Sequence, residues 1–166
     1  MNEIGKHVIK RVRKGNIKAF QKLVEHYQQS VYNICVLMMG NEKEAEELAR
    51  ETFVYAYSHI EDYFKSGKKF SIWLYQAIVS LAQQSLKEDF EVCDAQSAKG
   101  ILPLLLNIPL NKRLAIILDC WYYLSDKEIS DVLHTTNSEV HEFIYQAREK
   151  LSKVLAEKGN VFFRSG

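Results

Sequence analysis

The stretch from Asn41 to Tyr57, NEKEAEELARETFVYAY, constrains this chain more than any other. Ala45, Leu48, Ala49, Thr52, Phe53, Ala56, Tyr57 and, just beyond, Ile60 recur at helical spacing and form one stripe fit for burial. Glu44, Glu47 and Glu51 fall together on another face. Gly40 is a stop signal for the helix before, and Asn41 a cap for this one. Such a helix needs other helices to bury its stripe. Its acidic face has two readings: a solvated surface, or a docking face for a basic partner.

The flanking sequence supplies those helices. Residues 7–13 read as a short amphipathic helix with Ile4, Val8, Ile9 and Val12 inward, broken at Lys14-Gly15-Asn16. A longer helix follows, with Phe20, Leu23, Val24, Tyr27, Val31, Ile34, Cys35 and Met38 on one side, ending at Gly40. The acidic helix then runs to about Tyr63. Residues 65–69 form a basic loop, and Ser71 is placed to cap a helix striped by Trp73, Leu74, Ala77, Ile78, Leu81, Ala82 and Leu86. Residues 91–99 have no period and read as a linker. Beyond them comes a short apolar turn at 101–106, then a helix from Asn111 carrying Leu114, Ile117, Leu118 and Trp121. Ser125 with Glu128, and Thr136 with Glu139, are two capping boxes opening helices joined by about three residues, which is the pattern of a helix-turn-helix. The last helix is expected to end near Gly159. Two prolines and seven glycines in 166 residues argue against an all-β architecture.

Charge is uneven although the net is only +1. Lys6, Lys10, Arg11, Arg13, Lys14, Lys18 and Lys22 face Glu3 alone at one end. Asp119, Asp126, Glu128, Asp131, Glu139 and Glu142 face Lys127 alone later. Cys35, Cys93 and Cys120 are odd in number and include no Cys-x-x-Cys, which favours reduced thiols; Cys35 and Cys120 sit in apolar runs and are expected in the core. No apolar run approaches a membrane span, so a cytoplasmic protein is expected. There is no phosphate-cradling glycine loop, nucleophile elbow or His-Glu-x-x-His. His134 and His141 lack an ordered set of ligand partners. An enzyme is not expected, nor a cofactor, metal or small-molecule substrate.

EAEELARETFVYAY resembles the polymerase-holding helix of the sigma-70 family's extracytoplasmic-function (ECF) group, whose usual form is near DAEDLTQETFLRAW. Residues 15–40 are similar to that group's first conserved helix, and FSIWLYQAIVSLA to its FRTWLYRIARNLA. LSDKEISDVLHTTNSEVHEFIYQAREKL is similar to its C-terminal helix-turn-helix. The resemblance implies an all-α fold: a sigma region-2-like domain at 1–90, a linker at 91–99 and a sigma region-4-like helix-turn-helix domain at 100–166. It implies an alternative sigma factor that binds core RNA polymerase and directs initiation at promoter DNA, with an anti-sigma factor as a further partner.

Carried over residue by residue, the polymerase-binding set is Glu47, Arg50, Glu51 and Val54. The −10 DNA set is Tyr63, Phe64, Lys65, Lys68, Lys69, Trp73, Gln76 and Ser80, where cations meet phosphates and aromatics stack on unpaired bases; Phe64, Phe70 and Trp73 also read as core, Phe70 and Trp73 above all. The −35 DNA set is Asn137, Ser138, His141, Glu142, Tyr145 and Arg148, with Lys112 and Arg113 as backbone contacts from the preceding helix. The chain departs from the group in a pattern. Gln76, Val79 and Ser80 stand for Arg, Arg and Asn; His141, Glu142, Phe143 and Gln146 stand for roughly Lys, Ser, Arg and Arg. His134 and Tyr123 stand for glycines, and Arg50 for a Gln. Two readings therefore stay open: an active factor with its own promoter preference, or a sigma-like interaction protein with weak or no DNA binding that sequesters an anti-sigma factor.

Overall fold

A computed structural model of the chain describes residues 2–85 and 100–157. It divides into two compact units, Met1–Cys93 and Asp94–Gly166. The linker expected at 91–99 and the helix end expected near Gly159 lie outside the described residues. All regular structure among the described residues is helical.

In the first unit, α1 (Lys6–Arg13), α2 (Ile17–Met39), α3 (Glu42–Ser58), α4 (Ile60–Ser66) and α5 (Phe70–Ser85) follow one another with short connections. Asn16 caps α2 by accepting from the Ala19 amide at 2.8 Å. Gly40 ends α2 in the left-handed conformation that glycine adopts without penalty. Asn41 then caps α3, accepting from the amides of Lys43 and Glu44. The stripe of α3 is buried at Ala45, Leu48, Thr52, Phe53 and Ala56. Tyr57, expected in that stripe, is instead partly exposed, because it lies at the margin of the α2–α3 contact and rests edge-on against Phe20.

Three further expectations change. The acidic helix does not run on to Tyr63 but breaks at His59 (φ −112°), where α3 ends and α4 begins. Ser58 Oγ donates back to the Val54 carbonyl at 2.9 Å, a bond that bends helices. Ser71 is no cap: α5 starts one residue earlier, and Ser71 is buried in its first turn. The capping is done from outside by Glu3, whose carboxylate accepts from the Ser71 amide at 3.3 Å, from Ser71 Oγ and from the Tyr27 hydroxyl at 3.2 Å. A carboxylate at a helix N-terminus satisfies orphan amides and complements the dipole. Finally, α5 is buried all round from Phe70 to Val79, because α2, α3 and α4 all pack on it.

The second unit holds α6 (Leu102–Leu106), α7 (Leu110–Cys120), α8 (Asp126–Leu133) and α9 (Asn137–Glu157). Leu105, Ile108, Leu114, Ile117, Ile129, Val132, Val140, Ile144, Ala147 and Leu151 close its core. Both capping boxes form. Ser125 and Glu128 exchange bonds at 3.0 and 3.3 Å, Thr136 and Glu139 at 3.1 and 3.2 Å. Cys35 is buried as expected, and burial pushes its thiol up to about 12. Cys120 is exposed, because it falls at the last turn of α7 beyond the buried stripe.

Two non-glycine residues among those described have positive φ, Tyr123 (52°) and His134 (53°). His134 is the left-handed residue of a Schellman turn, in which the Thr135 amide donates to the Ser130 carbonyl at 3.0 Å. Both positions are those where the sequence departs from a glycine. The backbone has kept the turn and the side chain carries its steric cost, about 1 kcal/mol at each position.

Candidate functional site

Packing α2 against α3 leaves a groove of about 690 Å³ on the outside of the first unit. Phe20, Val24 and Phe53 line it, with Tyr32 and Glu46 at one end and Arg50, Val54 and Tyr57 along the other wall. Val54 is 61% exposed, unusual for a valine in the middle of a helix, and Ile17 and Tyr57 add apolar surface. Thr52, the central residue of the ETF triplet, is fully buried and donates to the Leu48 carbonyl at 2.7 Å. That fixes which way the neighbouring Glu51 and Val54 point. Of the residues carried over for polymerase, Arg50 and Val54 line the groove; Glu47 and Glu51 are exposed on α3 beside it. The α2 wall went unnoticed in the sequence because Phe20 and Val24 fit an inward stripe, whereas both are only half-buried. The Tyr32 phenol is raised from its ordinary value, by desolvation first and then by Glu42 and Glu46. The arrangement suits an apolar helix with basic flanks.

The expected −10 surface divides. Phe64 and Lys68 are half-buried, Lys65 and Lys69 exposed, and Ser80 half-buried. Tyr63 and Trp73 are 8% and 7% exposed, and Gln76 is buried as well. Gly67, left-handed at φ 66°, folds α4 back on α5, and Tyr63 is carried under the rings of Phe70 and Trp73 at centroid distances of 5.0 and 5.8 Å. These residues form the aromatic core beneath the loop, and cannot stack on a base in this conformation. The loop itself is held by Ser66, whose hydroxyl donates to the Tyr63 carbonyl at 2.7 Å and accepts from the Lys68 amide at 3.2 Å. Phe64 has a companion that the sequence did not point to. The Arg13 guanidinium lies 4.8 Å from its ring centroid and pairs with Glu61 at 2.6 Å. That pair holds the guanidinium above its usual value.

In the second unit, Asn137, Ser138, His141, Glu142, Tyr145 and Arg148 all lie exposed on α9, away from its buried Val140, Ile144, Ala147 and Leu151. The spacing of four, four and three from Asn137 to Arg148 makes one stripe. Its two basic side chains are already engaged. Arg148 Nη2 meets Asp119 Oδ2 at 2.8 Å, and His141 Nε2 lies 3.0 Å from Asp126 Oδ2. Gln146 donates to Glu142. Glu139 is no free acid but the clasp of the second capping box. It accepts from Thr135 Oγ1, the Thr136 amide and Thr136 Oγ1, which hold its carboxyl below the usual range. Arg113 is buried in α7, which lowers its pKa by desolvation, so it does not offer its charge to DNA backbone. No group of three or more metal-ligating side chains occurs among the described residues, and none of the described helices is long and apolar enough to cross a membrane.

Comparison with known proteins bears on these surfaces. Residues 23–89 match the family model "Sigma-70 region 2". The ECF RNA polymerase sigma factor SigW of Bacillus subtilis is 31% identical, over 90% of this chain and 95% of its own length. Among solved structures, CnrH in complex with the cytosolic domain of CnrY superposes with TM-score 0.71 at 21% identity, covering 90% of this chain and 96% of that one. The sigma factor RpoE of Bartonella quintana, in complex with the anti-sigma factor NepR, gives 0.69 at 18%, covering 84% and 98%. These two likenesses are ones of fold.

Proposed function

The chain belongs to the ECF RNA polymerase sigma factors, and from that premise we propose how its two units divide the work of an alternative sigma factor. The region-2-like unit at 1–90 holds the polymerase with the α2–α3 groove and the acidic face of α3. Its 63–69 loop faces the opened −10 element. The segment at 91–99 is the linker, and the region-4-like unit at 100–166 sets the exposed stripe of α9 in the −35 major groove. The protein works in the cytoplasm without a cofactor, and an anti-sigma factor completes its partners.

The observation that carries this reading is the groove. A half-exposed apolar floor rimmed by Glu46, Glu47 and Glu51 is what a basic amphipathic helix needs, and Val54 has no structural reason to face water. On the polymerase face, charge complementarity provides steering as well as contact. On the DNA side, Phe64 is the stacking group, since Tyr63 and Trp73 are its support.

One observation favours the second reading, an interaction protein with little DNA binding: Asp119 and Asp126 already occupy the basic groups of the recognition stripe. Reconstitution with core polymerase on a promoter library separates the two. Promoter-specific transcripts support the sigma function in full. A stable complex with core polymerase that starts no specific transcripts would leave only the interaction role.

A further inference from the structure

Apart from Arg13, the basic end of the chain has no part in the surfaces described so far. In α1 only Ile9 and Val12 are fully buried, so the helix offers most of its circumference to solvent. Lys6, Lys10 and Arg13 are spaced four and three apart, which puts them on one flank, while His7 and Arg11 fall on the other. The flank that carries Lys6, Lys10 and Arg13 is turned towards α4, since Arg13 there pairs with Glu61 and covers the Phe64 ring. At its other end α1 is anchored beside the start of α5, where Glu3 binds Ser71. The row of cations therefore runs alongside α4 and the basic loop that carries Lys65 and Lys68.

Helix electrostatics accounts for part of this charge and leaves the rest. Lys10, Arg11 and Arg13 sit in the last turn of α1, where the dipole favours cations. Lys6 sits in the first turn, where the dipole opposes one, and that turn holds no acid to compensate. The acids on the neighbouring element are Glu61 and Asp62, which face Arg13 and Lys65 and leave Lys6 and Lys10 without an ion pair among the described residues. From Lys6 to Arg13 the row is about 10 Å long at 1.5 Å per residue. That is about three nucleotide rises of a stacked strand.

We propose that Lys6, Lys10 and Arg13 form a phosphate track for single-stranded promoter DNA, continuous with Phe64, so that one strand is held by its backbone on α1 while an unpaired base stacks at Phe64. The inference rests on the promoter-opening role given to the 63–69 loop above, and adds α1 to it. Arg13 is the joint between the two parts. It is pre-positioned over one face of the ring by Glu61, and its guanidinium can pass from Glu61 to a phosphate while the other face is left to the base.

The test uses holoenzyme assembled from the full chain and core polymerase, with a forked duplex bearing a single-stranded −10 tail, titrated by anisotropy from 50 to 200 mM salt. The triple variant Lys6→Gln, Lys10→Gln, Arg13→Gln is compared with Arg11→Gln on the other flank. Three lost contacts at about 0.7 counterion each make the salt slope shallower by about two, so the wild-type advantage shrinks about 20-fold across that range. The opposite-flank variant should keep the wild-type slope. Wild-type binding with an unchanged slope in the triple variant overturns the track alone. Wild-type holoenzyme that ignores the probe overturns the promoter-opening reading and the track together. A triple variant that loses core polymerase while its helicity is intact assigns the row to a protein partner, and the proposal fails.

Discussion

Changing Asp119 to Asn should turn the second unit into a better DNA binder without harming its fold. Asp119 belongs to the last turn of α7, where a negative charge opposes the helix dipole, so neutralising it is not costly for the helix. Its partner Arg148 is more than half exposed, and a pair of this kind is worth about 0–1 kcal/mol. DNA that engages Arg148 must break this pair, at a cost of about 0.5 kcal/mol. It must also approach a carboxylate left near the phosphate wall. At about 7 Å in water, that repulsion adds about 0.6 kcal/mol. The sum is about 1 kcal/mol, or about fivefold in affinity. One cation newly available to phosphate should also steepen the salt slope by about 0.9 on duplex DNA. Fluorescence anisotropy of the full chain on duplex promoter DNA measures both. Arg148→Gln in the Asp119→Asn background should cancel the gain, which ties it to this pair rather than to net charge. Equal affinity and equal slope in Asp119→Asn and wild type, with unchanged melting, would refute the claim that the recognition stripe is internally neutralised.

Glu47→Lys with Glu51→Lys, or Val54→Asp alone, should abolish core-polymerase binding in a pull-down while leaving far-UV circular dichroism unchanged; retained binding would remove the groove from the polymerase interface. The Glu139 carboxyl is held below its ordinary value of 4.5, so it adds stability above that value and loses it as pH falls through the lower folded one. Thermal melts from pH 6 to pH 3 should therefore show less acid sensitivity in Glu139→Gln, at the expense of a lower melting temperature at neutral pH. In a Cys93→Ser background, a thiol reagent should modify Cys120 in the native protein and reach Cys35 only after denaturation, because burial keeps the Cys35 thiol protonated and covered. Two thiols reacting together without denaturant would contradict the packing of α2.

Periodicity and caps located the starts of α2, α3 and α9 to within a residue or two, since each opens at a cap and buries a regular stripe. The two capping boxes were readable because both partners lie within four residues. What could not be read was joined across long sequence separation. Glu3 caps α5 from 68 residues away, so Ser71 looked like the only candidate. Arg148 meets Asp119 across 29 residues and Arg13 meets Glu61 across 48. The site residues split along the same line. Val54 and Tyr145 came by carry-over from the resemblance, and both are exposed because they lie off the buried stripes of their helices. Tyr63, Trp73 and Gln76 depended on how tightly the Gly67 turn closed, and three helices around α5 left them no route to the surface. Tyr123 and His134 are a special case: their departure from glycine was visible in the sequence, but only the backbone shows that the turn survived it.

The break at His59 matters as a piece of mechanics. It is one residue long, yet its amide still donates to the Tyr55 carbonyl at 2.9 Å, its ring stacks on Tyr55 at 4.1 Å, and Tyr55 in turn rests on Trp73 of the buried helix. On the α4 side the Asp62 amide donates to the His59 carbonyl at 2.9 Å, so the joint is bonded on both sides and makes an elbow, not a hinge. The groove on α3 and Phe64 on α4 are thus two ends of one bracket, and seating the first end on a polymerase aims the second. Loosening the elbow with His59→Gly should leave each end intact and spoil the aim between them.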